Sequence, residues 1–161
     1  MYEFYKKTYN IEFADVLFEV LKKYDLETVA KSSEKLPIII ECFEMESLVR
    51  FQQLTDLPLV FLMFWQNPLT SYNLTEIANL AHGVGPKSDW LFKYDNEPFN
   101  LTSPSKFIQE CHSLGLAVHP YSLQDDMLRW TDSPLDEHVT YIDKGVDGIF
   151  TEFPHLTKAA F

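Results

Sequence analysis

Apolar positions along the chain follow two spacings, one typical of helices and one typical of buried strands. Over residues 11–24, apolar side chains recur every three or four positions, and Lys22 and Lys23 lie in the last turn. Over residues 36–43 and 57–64, apolar residues continue without polar alternation. Such runs are typical of strands that are covered on both faces. The pattern therefore predicts an early helix followed by two strands in the interior of the protein.

The rest of the chain continues this alternation of strands and helices. Strands are predicted near residues 37–42, 58–64, 83–86, 116–121 and 146–151. Helices are predicted over residues 45–54, 73–82, 104–114 and 136–144, with a last turn or short helix from Pro154. Asn73 and Ser103 are predicted helix caps, and Gly115 and Gly145 are predicted helix stops. Five strands separated by helices indicate a parallel α/β sheet.

Length and composition limit what this sheet can become. The chain has 161 residues, of which 46% are hydrophobic and 15% aromatic, so it can bury a core as a single domain. A closed eight-stranded α/β barrel typically needs ~250 residues. If the predicted strands belong to such a barrel, the barrel cannot close within this chain.

The charge of the chain excludes some partners. The formal net charge is -11, and basic residues occur at most two in a row, which argues against nucleic-acid binding. An acidic protein can still bind an anionic phosphodiester if a divalent cation lies between them.

The longest apolar run, residues 57–65, is far below the ~20 residues of a transmembrane helix. Cys42 and Cys111 are expected to be free thiols.

Candidate catalytic residues are few. The five histidines show no zinc-ligand spacing, and none of the common nucleophile or phosphate-loop motifs occurs. His119, at the end of a predicted strand, could bind phosphate or orient water, or it could be a structural histidine. Tyr121 could line a pocket or simply cover the end of the sheet. The aromatic stretch 87–101 fits a pocket lid or a packed surface loop.

Two segments near the C-terminus carry a resemblance to a known family. Gly-Leu-Ala-Val-His-Pro-Tyr-Ser at 115–122 and Gly-Val-Asp-Gly-Ile-Phe-Thr-Glu-Phe-Pro at 145–154 resemble the last two strands of the glycerophosphodiester phosphodiesterases. Ile-Glu-Cys-Phe-Glu at 40–44 is similar to the fourth strand of that family, and Gly-Val-Gly-Pro at 83–86 is similar to the sixth. The order and spacing of these segments extend the resemblance over nearly the whole chain.

The resemblance implies an α/β fold that is a partial (β/α)8 TIM barrel, with residues 1–161 as the C-terminal portion of the domain. It implies hydrolysis of deacylated phospholipids, the glycerophosphodiester substrates, to an alcohol and glycerol-3-phosphate. The family's catalytic histidines, and the carboxylates that hold a calcium or magnesium ion, are expected before Met1, so this chain would have no catalytic or metal-binding residue and would be inactive alone. The chain would contribute a wall of the substrate pocket, formed by Glu41, Phe43, His119, Tyr121 and Phe153.

Three positions depart from the family pattern, and two other interpretations stay open. Glu41 replaces the usual Gln, Gln124 replaces a common Arg, and Glu152 replaces the usual Asp. Loss of an arginine removes a planar donor that suits phosphate. One alternative is a non-catalytic, truncated barrel that acts as an interaction module. The other is an unrelated doubly wound α/β binding domain, which would place its ligand at a switch point of the sheet.

Overall fold

The computed structural model describes residues 2–93 and 105–161 of the chain. The strands are β1 (Ile40–Cys42), β2 (Leu59–Leu62), β3 (Gly83–Gly85) and β4 (Ala117–Val118). The helices are α1 (Tyr2–Tyr9), α2 (Phe13–Lys23), α3 (Val29–Ser32), α4 (Met45–Leu54), α5 (Leu74–Ala78), α6 (Trp90–Lys93), α7 (Lys106–Ser113), α8 (Pro134–Asp143) and α9 (Pro154–Ala160). A 3-10 turn covers Leu69–Ser71.

The four strands form one parallel sheet in the order β1-β2-β3-β4. In its register Val60 of β2 lies between Glu41 of β1 and Gly83 of β3, and Gly83 is the neighbour of Ala117 in β4. Strands that follow one another in the sequence are therefore also neighbours in space, with helices in the connections. Four of the five predicted strands are confirmed, and each is shorter than predicted.

The fifth predicted strand, residues 146–151, is not a regular strand, although it lies beside β4. The amide of Asp147 donates to the carbonyl of Val118, and the amide of Phe150 donates to the carbonyl of Pro120, both at 3.0 Å. The carboxylate of Asp147 takes the amide of Val118 at 2.8 Å, and Pro120 has no N–H to donate. Because β4 thus lacks donors on this side, the ladder is reduced to one isolated parallel bridge, between Leu123 and Thr151.

The core lies on both faces of β2, as the uninterrupted apolar run predicts. Leu59, Val60 and Phe61 are at most 6% exposed. Apolar side chains of the helices that follow the strands are buried in the same cluster, among them Leu48 and Phe51 of α4, Phe107 and Ile108 of α7 and Tyr141 of α8. This burial supplies most of the driving force for folding, at roughly 25 cal/mol per Å² of apolar surface.

The ends of α5, α7 and α8 test the helix caps and stops that the sequence predicts. The side chain of Asn73 caps α5 by accepting from the amide of Glu76 at 3.3 Å, as predicted. The prediction that this helix extends to His82 is wrong, because α5 ends at Ala78. His82 instead contacts the start of β2, where its Nδ1 accepts a hydrogen bond from the amide of Leu59 at 3.1 Å. Gly115 and Gly145 follow α7 and α8 with left-handed φ angles of 76° and 97°, so both predicted stops are confirmed.

The start of α7 and the aromatic stretch lie next to the residues that the structure does not describe. As described, α7 begins at Lys106 with Ser105 at its cap, whereas the predicted cap Ser103 and first residue Pro104 lie outside the described residues. The part of the stretch 87–101 from residue 94 onward also lies outside them. Helices α1 and α3 were not predicted from the sequence. Within the described ranges, no helix is long and apolar enough to cross a membrane.

β1 forms one end of the sheet and borders an apolar groove. In the described part of the chain β1 pairs with β2 alone. The groove has a volume of about 640 Å³, and the exposed face of α2 forms its opposite side. Its partly exposed apolar side chains are Phe13, Val16, Leu17 and Val20 of α2 and Ile39 before β1. An open strand edge beside apolar surface is a place where a further strand can pair.

Candidate active-site wall

Four of the five predicted site residues belong to one face of the sheet. Side chains of a strand alternate between the two faces, so Glu41 and Phe43 share a face, as do His119 and Tyr121. The rings of Phe43 and Tyr121 are in contact, with 5.7 Å between their centroids, which shows that the two pairs lie on the same face. Phe43 and Tyr121 follow the carboxyl ends of β1 and β4. This is the end at which active sites of α/β barrels lie.

The glycines of β3 let side chains of the neighbouring strands approach across this face. A Cβ atom on Gly85 would overlap with the side chain of Leu62 in β2, and it would lie 3.2 Å from the carbonyl oxygen of His119. A Cβ atom on Gly83 would lie 2.9 Å from the carbonyl oxygen of Ala117. Larger side chains at these positions would increase the distance between β2 and β4. They would also separate the residues that follow these two strands.

An aromatic wall stands at the carboxyl ends of the strands, and we define it as Phe43, Phe64, Trp65 and Tyr121. The ring of Phe43 lies edge-to-face against Phe64 and against Tyr121, each with a centroid distance of 5.7 Å. Phe64 stacks on Trp65 at 6.4 Å. Such contacts contribute roughly 0.5–1.5 kcal/mol each beyond the area that they bury. Residues from three separate strand ends therefore form one continuous aromatic surface.

Tyr121 is held in place by its hydroxyl group. Its Oη donates to the carbonyl oxygen of Met63 at 2.5 Å, which links the end of β4 to the end of β2 across β3. Burial raises the pKa of the Tyr121 phenol to about 12, so the hydroxyl keeps its proton at neutral pH. The side chain therefore serves as a fixed part of the wall and not as a phenolate.

His119 lies against the backbone of Gly148. A Cβ atom on Gly148 would be 2.9 Å from Cδ2 of the imidazole and 3.0 Å from its Nε2, so the ring fits only because position 148 has no side chain. Burial lowers the pKa of His119, which favours the neutral imidazole at pH 7. Within the described part of the chain, its ring nitrogens have no hydrogen-bond partner. A neutral imidazole of this kind can accept or donate one hydrogen bond to a ligand.

Glu41 carries the most shifted carboxyl group on this face. Burial raises the pKa of its carboxyl group from 4.5 to about 7. The described residues contain no ion-pair partner for it. The carboxyl group therefore occurs in both its protonated and its ionised form near neutral pH, a property that is common at functional sites but not confined to them.

Phe153 is placed apart from the other predicted residues. It precedes α9, and its amide donates to Oγ1 of Thr151 at 2.9 Å. Its ring contacts His155 with 6.5 Å between centroids, and none of the described ring contacts joins it to the aromatic wall. The structure thus brings Phe43 and Tyr121 into contact. Phe153 follows the segment that lies beside β4 on the side away from β3.

Sequence reasoning missed Phe64, Trp65 and the supporting residue Tyr72. Oη of Tyr72 accepts from the amide of Phe64 at 2.8 Å and donates to its carbonyl oxygen at 3.3 Å. The signal was an aromatic pair directly after the apolar run of β2, at the same strand end as Phe43. A hydrogen-bonded set around the buried His138 was missed as well. Nε2 of His138 lies 3.0 Å from the carboxylate of the partly buried Asp125, and Nδ1 lies 2.8 Å from Oγ1 of the partly buried Thr157.

The comparisons with known proteins agree with this geometry. The model of the Glycerophosphoryl diester phosphodiesterase family matches residues 1–156. The chain is 32% identical to the glycerophosphodiester phosphodiesterase GDPD6 of Arabidopsis thaliana over 161 aligned positions, covering 88% of this chain and 43% of the relative. It is also 32% identical to a glycerophosphodiester phosphodiesterase of Bacillus subtilis, covering 87% of this chain and 41% of that protein. The chain belongs to the glycerophosphodiester phosphodiesterase family.

Solved structures show the same fold. A protein of Silicibacter pomeroyi named as a glycerophosphoryl diester phosphodiesterase superimposes with a TM-score of 0.60 at 17% identity, covering 91% of this chain and 42% of that one. A protein of the same description from Agrobacterium tumefaciens also gives 0.60, with 91% and 49% covered. The fold is therefore α/β and corresponds to part of a TIM barrel. The chain spans less than half the length of the relatives it matches.

Proposed function

We propose that residues 1–161 are the C-terminal portion of a glycerophosphodiester phosphodiesterase domain, which hydrolyses deacylated phospholipids to an alcohol and glycerol-3-phosphate. The family match over residues 1–156 is the observation that carries this proposal. The position of Phe43, His119 and Tyr121 at one end of the strands supports it, because active sites of α/β barrels lie at that end. In this proposal these residues bind and orient the substrate.

The proposed enzyme depends on a divalent cation, calcium or magnesium, which would polarise the phosphodiester. The described residues do not fit a site for such an ion, since no group of three or more His, Cys, Asp or Glu side chains occurs among them. As part of this proposal, the cation and the pair of acid and base histidines belong to the N-terminal part of the family's domain. By itself the chain is expected to be inactive.

The edge of β1 supports a role as one part of a larger barrel. In the described residues this edge has no strand beside it, and the groove next to it is lined by apolar side chains of α2 and β1. A further parallel strand and its helix would bury Val16, Val20 and Ile39, which are 46–50% exposed here. Their burial would stabilise the assembled domain by roughly 25 cal/mol per Å² of apolar surface.

A chimera tests the proposal. The part of the Bacillus subtilis relative that the match does not include is placed before Met1, and release of glycerol-3-phosphate is measured with a panel of glycerophosphodiesters. We expect hydrolysis by the chimera, loss of activity with a chelator, and no hydrolysis by residues 1–161 or by the added portion alone. A chimera that unfolds cooperatively, and so is folded, but has no activity would contradict the proposal.

The second candidate is a non-catalytic barrel portion that acts as an interaction module. The specific observation in its favour is the same groove of about 640 Å³, whose apolar lining suits a partner segment. A folded but inactive chimera, together with binding of a partner segment to residues 1–161 that Val16→Lys abolishes, would support the module. Hydrolysis by the chimera would support the enzyme.

A further inference from the structure

His138 is buried where α8 meets α9, and both of its ring nitrogens have side-chain partners. Its side chain is 1% exposed. Nε2 lies 3.0 Å from Oδ1 of Asp125, in the segment after β4, and Nδ1 lies 2.8 Å from Oγ1 of Thr157 in α9. The three side chains therefore form a continuous line of hydrogen bonds from a carboxylate through an imidazole to a hydroxyl group. None of them belongs to the aromatic wall.

The donors and acceptors of these groups give both hydrogen bonds a direction. An ionised carboxylate can only accept, so Nε2 of His138 donates to Asp125. A neutral imidazole carries a single N–H, so Nδ1 is then without a proton and accepts from the hydroxyl of Thr157. The imidazole is thus in position to take the hydroxyl proton as a general base.

The carboxylate of Asp125 acts on the imidazole of His138. The side chain of Asp125 is 9% exposed, and its Oδ2 is buried without a hydrogen-bond partner among the described residues. The carboxylate of Glu137, next to His138 on α8, accepts from the amides of Arg129 and Trp130 instead. A buried carboxylate beside an imidazole orients the ring and stabilises the positive charge that forms when the ring takes a proton. Asp125 is therefore a positioning residue.

The hydroxyl of Thr157 differs from that of Thr140, which lies on the neighbouring helix α8. Thr140 donates to the carbonyl oxygen of Asp136 at 2.7 Å, in the preceding turn of its own helix. A backbone carbonyl of this kind is the common partner of a hydroxyl group in a helix. Both threonines are partly exposed, so a small molecule in solution can reach either of them. Only Thr157 has an imidazole as its partner.

We propose that Thr157 is a nucleophile that accepts acyl groups from small carboxylic esters, with His138 as its general base. This activity goes beyond the proposed function and does not rest on it. Oγ1 of Thr157 attacks the carbonyl carbon of the ester, a new C–O bond forms, and the Oγ1 proton passes to Nδ1 of His138. The bond to the leaving alcohol then breaks, and the proton neutralises the oxygen of that alcohol. Water hydrolyses the acyl-threonine to the free acid and restores the hydroxyl group.

Acetylation by p-nitrophenyl acetate measures this activity on the 161-residue protein. The protein is treated briefly near neutral pH and digested, and the acetyl groups are located and quantified by mass spectrometry. Thr140 is the control within the same sample, because it is equally accessible and lacks a base. A positioned general base typically contributes about 10²–10⁴-fold, so we expect at least about tenfold more acetylation at Thr157 than at Thr140.

Four variants assign the roles, and each is first shown to unfold cooperatively. Thr157→Val keeps the shape of the side chain and should lose the adduct, whereas Thr157→Ser keeps the hydroxyl group and should retain it. Asp125→Asn keeps the size of the side chain and removes its charge, so it should lower the rate at Thr157 at least about tenfold. Asp126→Asn removes the same charge from the adjacent, exposed position and should change nothing.

The pH profile of the parent protein separates a catalytic arrangement from a purely structural one. Acetylation of Thr157 should rise with pH to a plateau, because only an imidazole without its second proton can accept the hydroxyl proton. Equal acetylation of Thr157 and Thr140, an unchanged rate in folded Asp125→Asn, or an equal loss in Asp126→Asn would overturn the proposal. The three side chains would then serve only to hold α8, α9 and the segment after β4 together. If Asp125→Asn does not fold, the comparison with Thr140 and the pH profile decide.

Discussion

Gln124 donates a hydrogen bond from Nε2 to Oε1 of Glu152, with 2.9 Å between the two atoms. These are two of the three positions at which the sequence departs from the pattern of the family, and the structure brings them into contact. The bond connects the segment after β4 to the segment that takes the place of a fifth strand. The two replacements are therefore best considered as one pair, and their effects should be tested together.

Gln124→Arg tests this pair. The arginine would form an ion pair with Glu152. Because Glu152 is exposed and position 124 is only partly buried, we expect a gain of at most about 1 kcal/mol in the free energy of unfolding. Urea unfolding at low and at high salt measures it, because salt should remove the gain. Gln109→Arg, on the exposed face of α7, adds the same charge without an acidic pair and is the control. An equal gain in the control would contradict the prediction.

Tyr121→Phe removes the hydroxyl that links the ends of β4 and β2. We expect a loss of about 1 kcal/mol in the free energy of unfolding, because the carbonyl of Met63 loses its partner while the ring contact with Phe43 remains. Chemical denaturation measures this loss, and Tyr24→Phe, at an exposed position, is the control. If both substitutions leave stability unchanged, the bond does not contribute to the fold.

Gly148→Ala tests how His119 is held. The new Cβ atom would lie 2.9 Å from the imidazole, so the ring must move toward solvent. We expect a loss of roughly 1–3 kcal/mol, as for other overpacked sites, and a rise in the pKa of His119 toward its ordinary value as the burial that lowers it is relieved. Proton NMR follows that pKa. In a His119→Ala background, Gly148→Ala should cost much less, and an equal cost would show that the contact is not responsible.

The sequence predicted β2 and the parallel arrangement of the strands. A continuous apolar run of strand length in an α/β protein is typical of a strand that is covered on both faces. It did not predict the interruption beside β4. That interruption depends on the carboxylate of Asp147 reaching the amide of Val118, 29 residues away along the chain, and no local pattern encodes such a contact. Pro120 was a local signal for it, since proline cannot donate to a ladder.

The candidate site, too, could be predicted from the sequence only in part. Phe43 and Tyr121 could be predicted as part of one wall from their places after two strands, and in the structure their rings are in contact. Phe64 and Trp65 carried the same positional signal but were read only as the end of an apolar run. The hydrogen bond from Tyr121 to Met63 joins residues 58 positions apart, and only the three-dimensional packing of the sheet reveals it.

Glu41→Gln restores the residue that is usual in the family, and its effect should depend on pH. Burial raises the folded-state pKa of Glu41 to about 7 from 4.5. Between pH 4.5 and about pH 7, the carboxyl group of Glu41 loses its proton in the unfolded chain and keeps it in the folded chain. The free energy of unfolding therefore falls as the pH rises through this range. Above about pH 7 the whole of this loss of stability is present. The glutamine variant should therefore be more stable than the parent at pH 8 by about 1 kcal/mol, allowing for solvent screening, and equal to it near pH 4. Parallel urea unfolding at the two pH values measures the difference, and an advantage that is the same at both would contradict it.

The groove beside β1 governs the behaviour of the isolated chain in solution. Val16 and Val20 of α2 are 50% and 46% exposed and line this groove, so we expect the protein to bind an apolar dye and to self-associate. Val16→Lys combined with Val20→Lys should reduce dye fluorescence and shift light scattering toward the monomer, with little loss of stability because the side chains already meet water. The control is Val49→Lys on α4, which is 43% exposed and lies outside the groove lining. A parent protein that is monomeric and binds no dye would show that the groove is closed in solution, and the chain would then be a self-contained fold.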